Sequence, residues 1–486
     1  MSQQLIETAL RGNPNLFRGQ SIEAWAADVQ MAGEKIALFR RYADGDHRAN
    51  LTAEMRKLLR ISDTGSLNEF NCNYQDLIIQ TMVDRLEVTA IEADNEDANE
   101  AIAALLSANR IDGLQADLHE AVIRDGVTFG HTYWDNDEQR AVMVHEPAYD
   151  GVSGVVGIEG KTHPDIALKI WRGSVESLGD TFYVNVYYPD RIEKYVSRNG
   201  GELARRRVEG EAWPAPWKLP NGEPIGVPFI RFLNRATAGS EYGMSEIENA
   251  IPLQDALNRT LYSMVMAAEL TAFQIRWAKG FNPPAGLAPG SWVIIGGEGL
   301  QKDAVAELGV MEQGEIVPFI AQAQWITGEM GKITRTPAPE FMGADTASGE
   351  SLKQREIGLL GKVRRFQTKA GNSWEDWVTL SHRVQLAYGS EKPPQYERLY
   401  ARWRDAEMRN NKEVIENVLA VADRIGERET LRQLAGVFGW DAAKIEELIV
   451  ERQEERTTAL SLLPLPGFSA ATFGVPGNGQ SAPVVA

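Results

Sequence analysis

Thr334-Arg-Thr-Pro-Ala-Pro-Glu-Phe-Met-Gly-Ala-Asp-Thr-Ala-Ser-Gly349, with the run that follows it to Tyr388, decides how this chain of 486 residues is organised. Pro337, Pro339, Gly343 and Gly349 keep the opening segment out of helix and central strand. Beyond it, Leu352, Leu359, Val363, Phe366, Ala370, Trp374, Trp377, Val384 and Ala387 recur at a spacing of three or four, which predicts one apolar face on a single helix. At 1.5 Å per residue such a helix is roughly 55 Å long, more than an ordinary globular core requires. Its first half carries Lys353, Arg355, Lys362, Arg364, Arg365 and Lys369 against Glu356, inside a chain of net charge -18. That reversal of sign calls for a partner, either an acidic surface or a polyanion.

Length and a 43% hydrophobic content allow a large core and two to four structural units. The single cysteine, Cys72, excludes an internal disulfide and fits a reducing compartment. No basic region followed by an apolar run opens the sequence, so no signal peptide is expected. The most apolar window, residues 261–268, ends at Glu269 and is too short to span a bilayer, so a soluble protein without a membrane partner is expected. Strong net acidity argues against a tight reader of duplex grooves, whose affinity comes mostly from Lys and Arg on phosphates. Acidic walls would still let a duplex slide past.

Outward from the deciding stretch, helices are expected across residues 22–41, 71–86 and 109–126, with a turn at Asp44-Gly45-Asp46 and an acidic helix start at residues 92–100. Residues 127–134 read as a strand, and from 134 to 234 the period moves toward two, with strands at 181–188, 192–196 and 227–233, an antiparallel insert. Arg205-Arg206-Arg207 falls in a hairpin or loop, where a solvated or interface role outweighs phosphate recognition. Ser245 and Glu248 have capping-box spacing and predict a helix start, with Pro252 in the first turn of its continuation and the helix ending at Gly280. Short strands are expected at 292–295 and 315–319, then a helix over 321–333. A helical region is expected from Glu397 to Arg456, and residues 457–486, uncharged and rich in Pro, Gly and Ser, read as a disordered tail.

No reaction centre emerges. His47, His119, His131, His145, His163 and His382 lack ligand spacing. The segments 328–332 and 358–362 end in Gly-Lys, but neither has the preceding glycine or the following Ser/Thr of a phosphate loop. No Gly-x-Ser-x-Gly elbow is present. No catalytic residue, cofactor or metal is therefore expected.

Taken in order, several pieces resemble the portal proteins of tailed bacteriophages, the head-to-tail connectors. They are Arg41-Tyr-Ala-Asp-Gly-Asp-His47, residues 73–84, residues 121–126 leading into Thr132-Tyr-Trp134, Tyr188-Pro-Asp-Arg-Ile-Glu-Lys-Tyr195, residues 228–234, residues 245–258 with Gln254-Asp255-Ala-Leu-Asn258, and residues 339–349 before the long helix. The resemblance implies an α+β, mainly helical fold with wing, helical stem, small α/β clip and helical crown. On this chain those parts would be a wing at 1–240, stem helices at 241–279 and 321–335, a clip at 280–320, a tunnel loop at 336–350, a long wing helix at 351–390, a crown at 391–456 and the tail.

The resemblance further implies a homo-oligomeric ring, usually of about twelve subunits, at one vertex of the viral shell. Double-stranded DNA would pass through it without sequence specificity during packaging and ejection. Terminase, the major capsid or scaffold protein, and later a head-completion or tail adaptor protein would be its partners, in the virion and, during assembly, in the host cytoplasm. Thr336, Pro337, Pro339, Glu340, Met342, Asp345, Thr346 and Ser348 would face the DNA. The basic residues of the long helix would face DNA or the next subunit. The rival readings are a capsid or scaffold subunit without a channel and a DNA-packaging enzyme.

Overall fold

The computed structural model describes residues 2–10, 21–47, 72–160, 162–173, 181–199, 201–236, 241–272, 276–279, 292–295, 307–310, 315–337, 349–390, 392–407, 411–438, 440, 444–445 and 447–452. Helix accounts for about 50% of the structure and strand for 22%, an α+β composition. Two compact units divide the chain, residues 1–406 and 407–486.

In chain order the first unit contains α1 (Ser2–Leu10), α2 (Ile22–Ala43), α3 (Tyr74–Val83), β1 (Val88–Ala93), α4 (Glu96–Ala108), α5 (Ile111–Asp125), β2 (Val127–Asp135), β3 (Arg140–Pro147), β4 (Gly154–Ile158), β5 (Ile166–Arg172), β6 (Thr181–Tyr187), β7 (Arg191–Arg198), β8 (Ala204–Arg205), β9 (Ala215–Pro216) and β10 (Phe229–Leu233). It continues with α6 (Ile251–Ala272), β11 (Arg276–Lys279), β12 (Trp292–Ile295), β13 (Glu307–Val310), α7 (Val317–Thr334), α8 (Gly349–Tyr388) and β14 (Leu399–Trp403). The second unit contains α9 (Asn411–Ile425) and α10 (Glu427–Phe438), joined at Gly426, whose φ of 81° a side chain would strain. Val418, Leu431, Leu434 and Ala435 are buried there.

Helix α8 is the axis of the first unit. Its predicted face is buried: Leu359, Val363, Phe366, Ala370, Trp374, Trp377 and Val384 all lie within the largest core. That face rests on the antiparallel sheet β10-β2-β3. Polar pins fix the register of helix on sheet, because a buried donor without a partner is costly. Trp377 Nε1 donates to Thr132 Oγ1 at 2.9 Å, Ser373 Oγ to the Arg231 carbonyl at 3.0 Å, and Trp374 Nε1 to His119 Nε2 at 3.2 Å. Gly130 makes the close approach possible, since a Cβ there would lie 2.6 Å from the Trp377 ring.

The period-two region folds as two sheets. Strand β2 pairs with β3 and β10 under α8, whereas β4 to β9 form a separate six-stranded sheet. One face of that second sheet carries Leu168, Ile170, Phe182, Val184 and Val186 against Leu5, Ile6, Leu10 and Trp25 from α1 and α2. Local signals end the helices as their sequences foretell: Asn95 Oδ1 accepts from the Ala98 amide at the start of α4, and Gly126, at φ 84°, ends α5.

Four expectations need correction. Residues 315–319 begin α7 instead of forming a strand, because Pro318 suits the first turn of a helix and would break a ladder. The third strand of the small sheet β12-β11-β13 is residues 307–310. Helix α6 ends at Ala272 and the chain is already a strand at Arg276, short of Gly280. Residues 399–403 form a strand that pairs antiparallel with β1, where helix was expected; the alternation of Leu399-Tyr-Ala-Arg-Trp403 and the break at Pro393-Pro394 account for it.

The fourth correction concerns the capping box. Ser245 Oγ accepts from the Ile247 amide, residues 246–250 form turns, and the helix begins only at Ile251. Glu248 pairs with Lys35 instead of reaching back to the cap. The expected tail, residues 457–486, lies outside the described residues, as does the segment 48–71. No helix among the described residues is long and apolar enough to cross a membrane.

Candidate functional site

The features singled out in the sequence converge where α6, α7 and the start of α8 meet. Helix α6 leads to the small sheet, and α7 leads from it to pack against α6. In that sheet β11 pairs parallel with β12 and antiparallel with β13, and Gly309 leaves room for the ring of Trp277. The first half of α6 is fastened by amides. Gln254 Nε2 donates to the Cys72 carbonyl at 2.6 Å and to Asn258 Oδ1 at 3.0 Å, while Asn258 Nδ2 lies 3.1 Å from His47 Nδ1 and the Tyr42 hydroxyl donates to Asp255 at 2.7 Å.

Helix α7 ends in a left-handed cap at Arg335, φ 57°, whose amide bonds back to Gly331 and Lys332. Thr336 follows, its amide on the Gly331 carbonyl at 3.0 Å and its hydroxyl 2.9 Å from that of Thr334. Thr336 and Pro337 are both buried. Both were expected to face DNA; within one copy they pack at the end of α7. Pro339, Glu340, Met342, Asp345, Thr346 and Ser348 lie outside the described residues.

The basic residues of α8 separate into two groups. Lys362 is turned inward, 8% exposed, with Nζ 2.9 Å from Glu246 Oε2 and 2.8 Å from the Thr334 carbonyl. Within one copy it is an internal tie between α8, Glu246 and the end of α7. Its ammonium also sits at the carbonyl end of α7, where the helix dipole favours a cation. Arg364, Arg365 and Lys369 are exposed together, opposite the buried face. The two arginines make no ion pair among the described residues, and Lys369 donates to the Ala236 carbonyl at 3.3 Å. Glu356, an acid of this half of the helix, is taken by the buried Arg85 at 3.3 Å. The side chains of Lys353 and Arg355 lie outside the described residues.

Sequence reasoning missed Glu246, whose carboxylate also accepts from Asn234 Nδ2 at 2.9 Å. No local signal marks Glu246, because its partners Lys362 and Asn234 are distant in sequence or lie in a different element. Sequence reasoning also missed the exposed apolar side chains of α7: Val317, Ile320, Trp325 and Ile333 are exposed, with Trp325 at 63%, and Ile357 of α8 at 65%. A tryptophan that open on a regular helix is uncommon for a solitary soluble molecule. The expected histidines do not assemble. His119 and His131 are buried in separate contacts, held neutral with pKa values lowered by burial to about 4 and about 3, and no cluster of three or more metal-ligating side chains occurs among the described residues.

The portal protein of Mycobacterium phage D29 is 29% identical over 210 residues, which is 41% of this chain and 42% of that protein. The portal protein of Mycobacterium phage L5 is 26% identical over 209 residues, again 41% of this chain and 42% of the relative. These alignments span about two fifths of the curated relatives. The profile described as phage portal protein, SPP1 Gp6-like, matches residues 30–458. That match takes in the amides that fasten α6, the α6–α7 pair, the whole of α8 and the two helices beyond it, and the chain belongs to this family of phage portal proteins.

Proposed function

We propose that copies of this chain close into a ring at one capsid vertex, and that the ring's channel passes double-stranded DNA inward during packaging and outward during ejection. Before the channel hands over to the tail, it would dock the packaging terminase and afterwards a head-completion or tail adaptor protein. Residues 1–240 with α8 act as the wing, α6 and α7 as the stem, and the sheet β12-β11-β13 as the clip. The segment between Pro337 and Gly349 is the tunnel loop, and α9 and α10 belong to the crown.

The observation that carries this reading is the set of exposed apolar side chains on α7, Val317, Ile320, Trp325 and Ile333, together with Ile357 on α8. A closed ring buries one surface of each copy against a different surface of the next, so exposed apolar side chains on the stem are accounted for by assembly. The exposed Arg364, Arg365 and Lys369 supply a basic surface for the neighbour's acids or for the phosphates. Net charge -18 keeps the passing duplex from sticking.

The reading is tested in infected cells. Phage carrying a stop codon in place of this chain should produce shells without packaged genome, and supplying the chain from a plasmid should restore full heads. Full heads in its absence would overturn the proposal.

A further inference from the structure

The edge of the six-stranded sheet at β8 carries an arginine cluster which the stem does not account for. Trp171 of β5 and Tyr183 of β6 are stacked with centroids 5.4 Å apart. The guanidinium of Arg206 lies over both, 5.5 Å and 5.2 Å from their centroids, and Nη2 donates to Asn185 Oδ1 at 3.2 Å. On the other side of the same edge strand, Arg205 stacks on Trp213 at 4.1 Å. Arg198, Arg205, Arg206 and Arg207 make no ion pair among the described residues, and Arg206 Nε is buried without a hydrogen-bond partner.

Held on aromatic rings, Arg205 and Arg206 keep little rotamer freedom to lose, and Arg206 is also partly desolvated, conditions under which a carboxylate binds well. An acidic surface on the same chain matches them. At the start of α4, Asp94, Glu96, Asp97 and Glu100 are exposed, and Asp97 and Glu100 make no ion pair among the described residues. The two surfaces belong to different cores: β1 and α4 contribute Ile91 and Ile102 to the core around α8, while the arginine edge borders the core beneath α1 and α2. No ion pair joins them within one copy among the described residues.

We infer that the acidic lip of α4 on one copy seats on the Arg205–Arg206 edge of the next, so that every copy in the ring offers one surface to each neighbour. This rests on the ring reading and names the surfaces that join the copies in the wing. A head-to-tail contact requires two different surfaces of complementary character, and the lip and the edge fulfil that condition at a spot distinct from the exposed apolar side chains of α7.

The test is a charge swap in the full chain, read by sedimentation velocity across a concentration series at low and moderate salt. R205E/R206E and D97R/E100R should each raise the concentration for half-assembly by about tenfold or more, and the four substitutions together should restore it toward the wild-type value. The wild-type midpoint should also rise with salt, as screened surface pairs require. Either double variant assembling like wild type, or a combined variant that assembles no better than the doubles, overturns the inference while the ring stands. Loss of binding to a duplex oligonucleotide in R205E/R206E, with assembly unchanged, overturns it in favour of a phosphate site. Absence of any ring from wild-type protein overturns the ring reading itself.

Discussion

Lys362 Nζ lies 2.9 Å from Glu246 Oε2, and the two side chains are only 9% and 1% exposed. The pair joins α8 to the segment before α6, and through the Thr334 carbonyl it also holds the end of α7. Removing Lys362 leaves the buried Glu246 carboxylate with only the half-exposed Arg235, at 3.9 Å, as a cation, whereas removing both charges leaves neutral side chains of similar size. Lys362→Met should therefore destabilise the first unit by about 3–5 kcal/mol, while Lys362→Met with Glu246→Gln should recover a substantial part of that loss. Chemical denaturation of the variants, followed by tryptophan fluorescence, checks both. A single variant as stable as wild type contradicts the assignment.

Steric crowding at Gly130 makes a second prediction. A methyl group there meets the Trp377 ring at 2.6 Å, and the ring is held by its bond to Thr132. Gly130→Ala should cost about 1–3 kcal/mol, the range for overpacking a core. Gly113, around whose Cβ position nothing lies within 4 Å, is the control, and Gly113→Ala should be neutral or stabilising because it sits in helix α5. The melting temperatures of the two variants should move in opposite directions, or only the first should move.

Buried imidazoles give the fold a defined pH dependence. Burial lowers His119 to about 4, and burial together with the nearby Lys169 ammonium lowers His131 to about 3, from an ordinary value of 6.5. Because the folded values are depressed, the unfolded chain takes up protons first. The stability these residues contribute is complete above about pH 6.5, falls as pH drops below it, and levels off near the folded values. Between pH 6 and 4.5 each contributes a slope of about 1.4 kcal/mol per pH unit. Replacing His131 with Gln should flatten the stability profile by that amount in this window, and an unchanged slope would contradict it.

Trp325 separates folding from assembly. It is 63% exposed, so Trp325→Glu should leave the unfolding free energy of the first unit within about 0.5 kcal/mol of wild type. Association, by contrast, should weaken strongly, since a charge would be driven into an apolar seam. Circular dichroism melts under dissociating conditions and sedimentation of the same samples give the two readings.

The long helix was legible because nothing competes with its pattern. From Leu359 to Val384 the apolar residues repeat at helical spacing, and the same residues form the buried face. Element ends and partners were less so. Ser245 and Glu248 have the spacing of a cap, yet Lys35, more than two hundred residues earlier, takes Glu248. Pairing of residues 399–403 with β1 is likewise a contact between distant segments, and a local reading of residues flanked by helices gave helix. Lys362 looked like one of several surface cations because its spacing differs little from that of Arg365; only the position of Glu246 turns it inward.

The most direct measurement is electron microscopy of the purified full chain at concentrations from nanomolar to tens of micromolar. The account predicts closed rings with a central opening wide enough for a duplex, with particles of one dominant rotational symmetry. A molecule that remains solitary across that range, or that forms sheets and filaments without a hole, contradicts it.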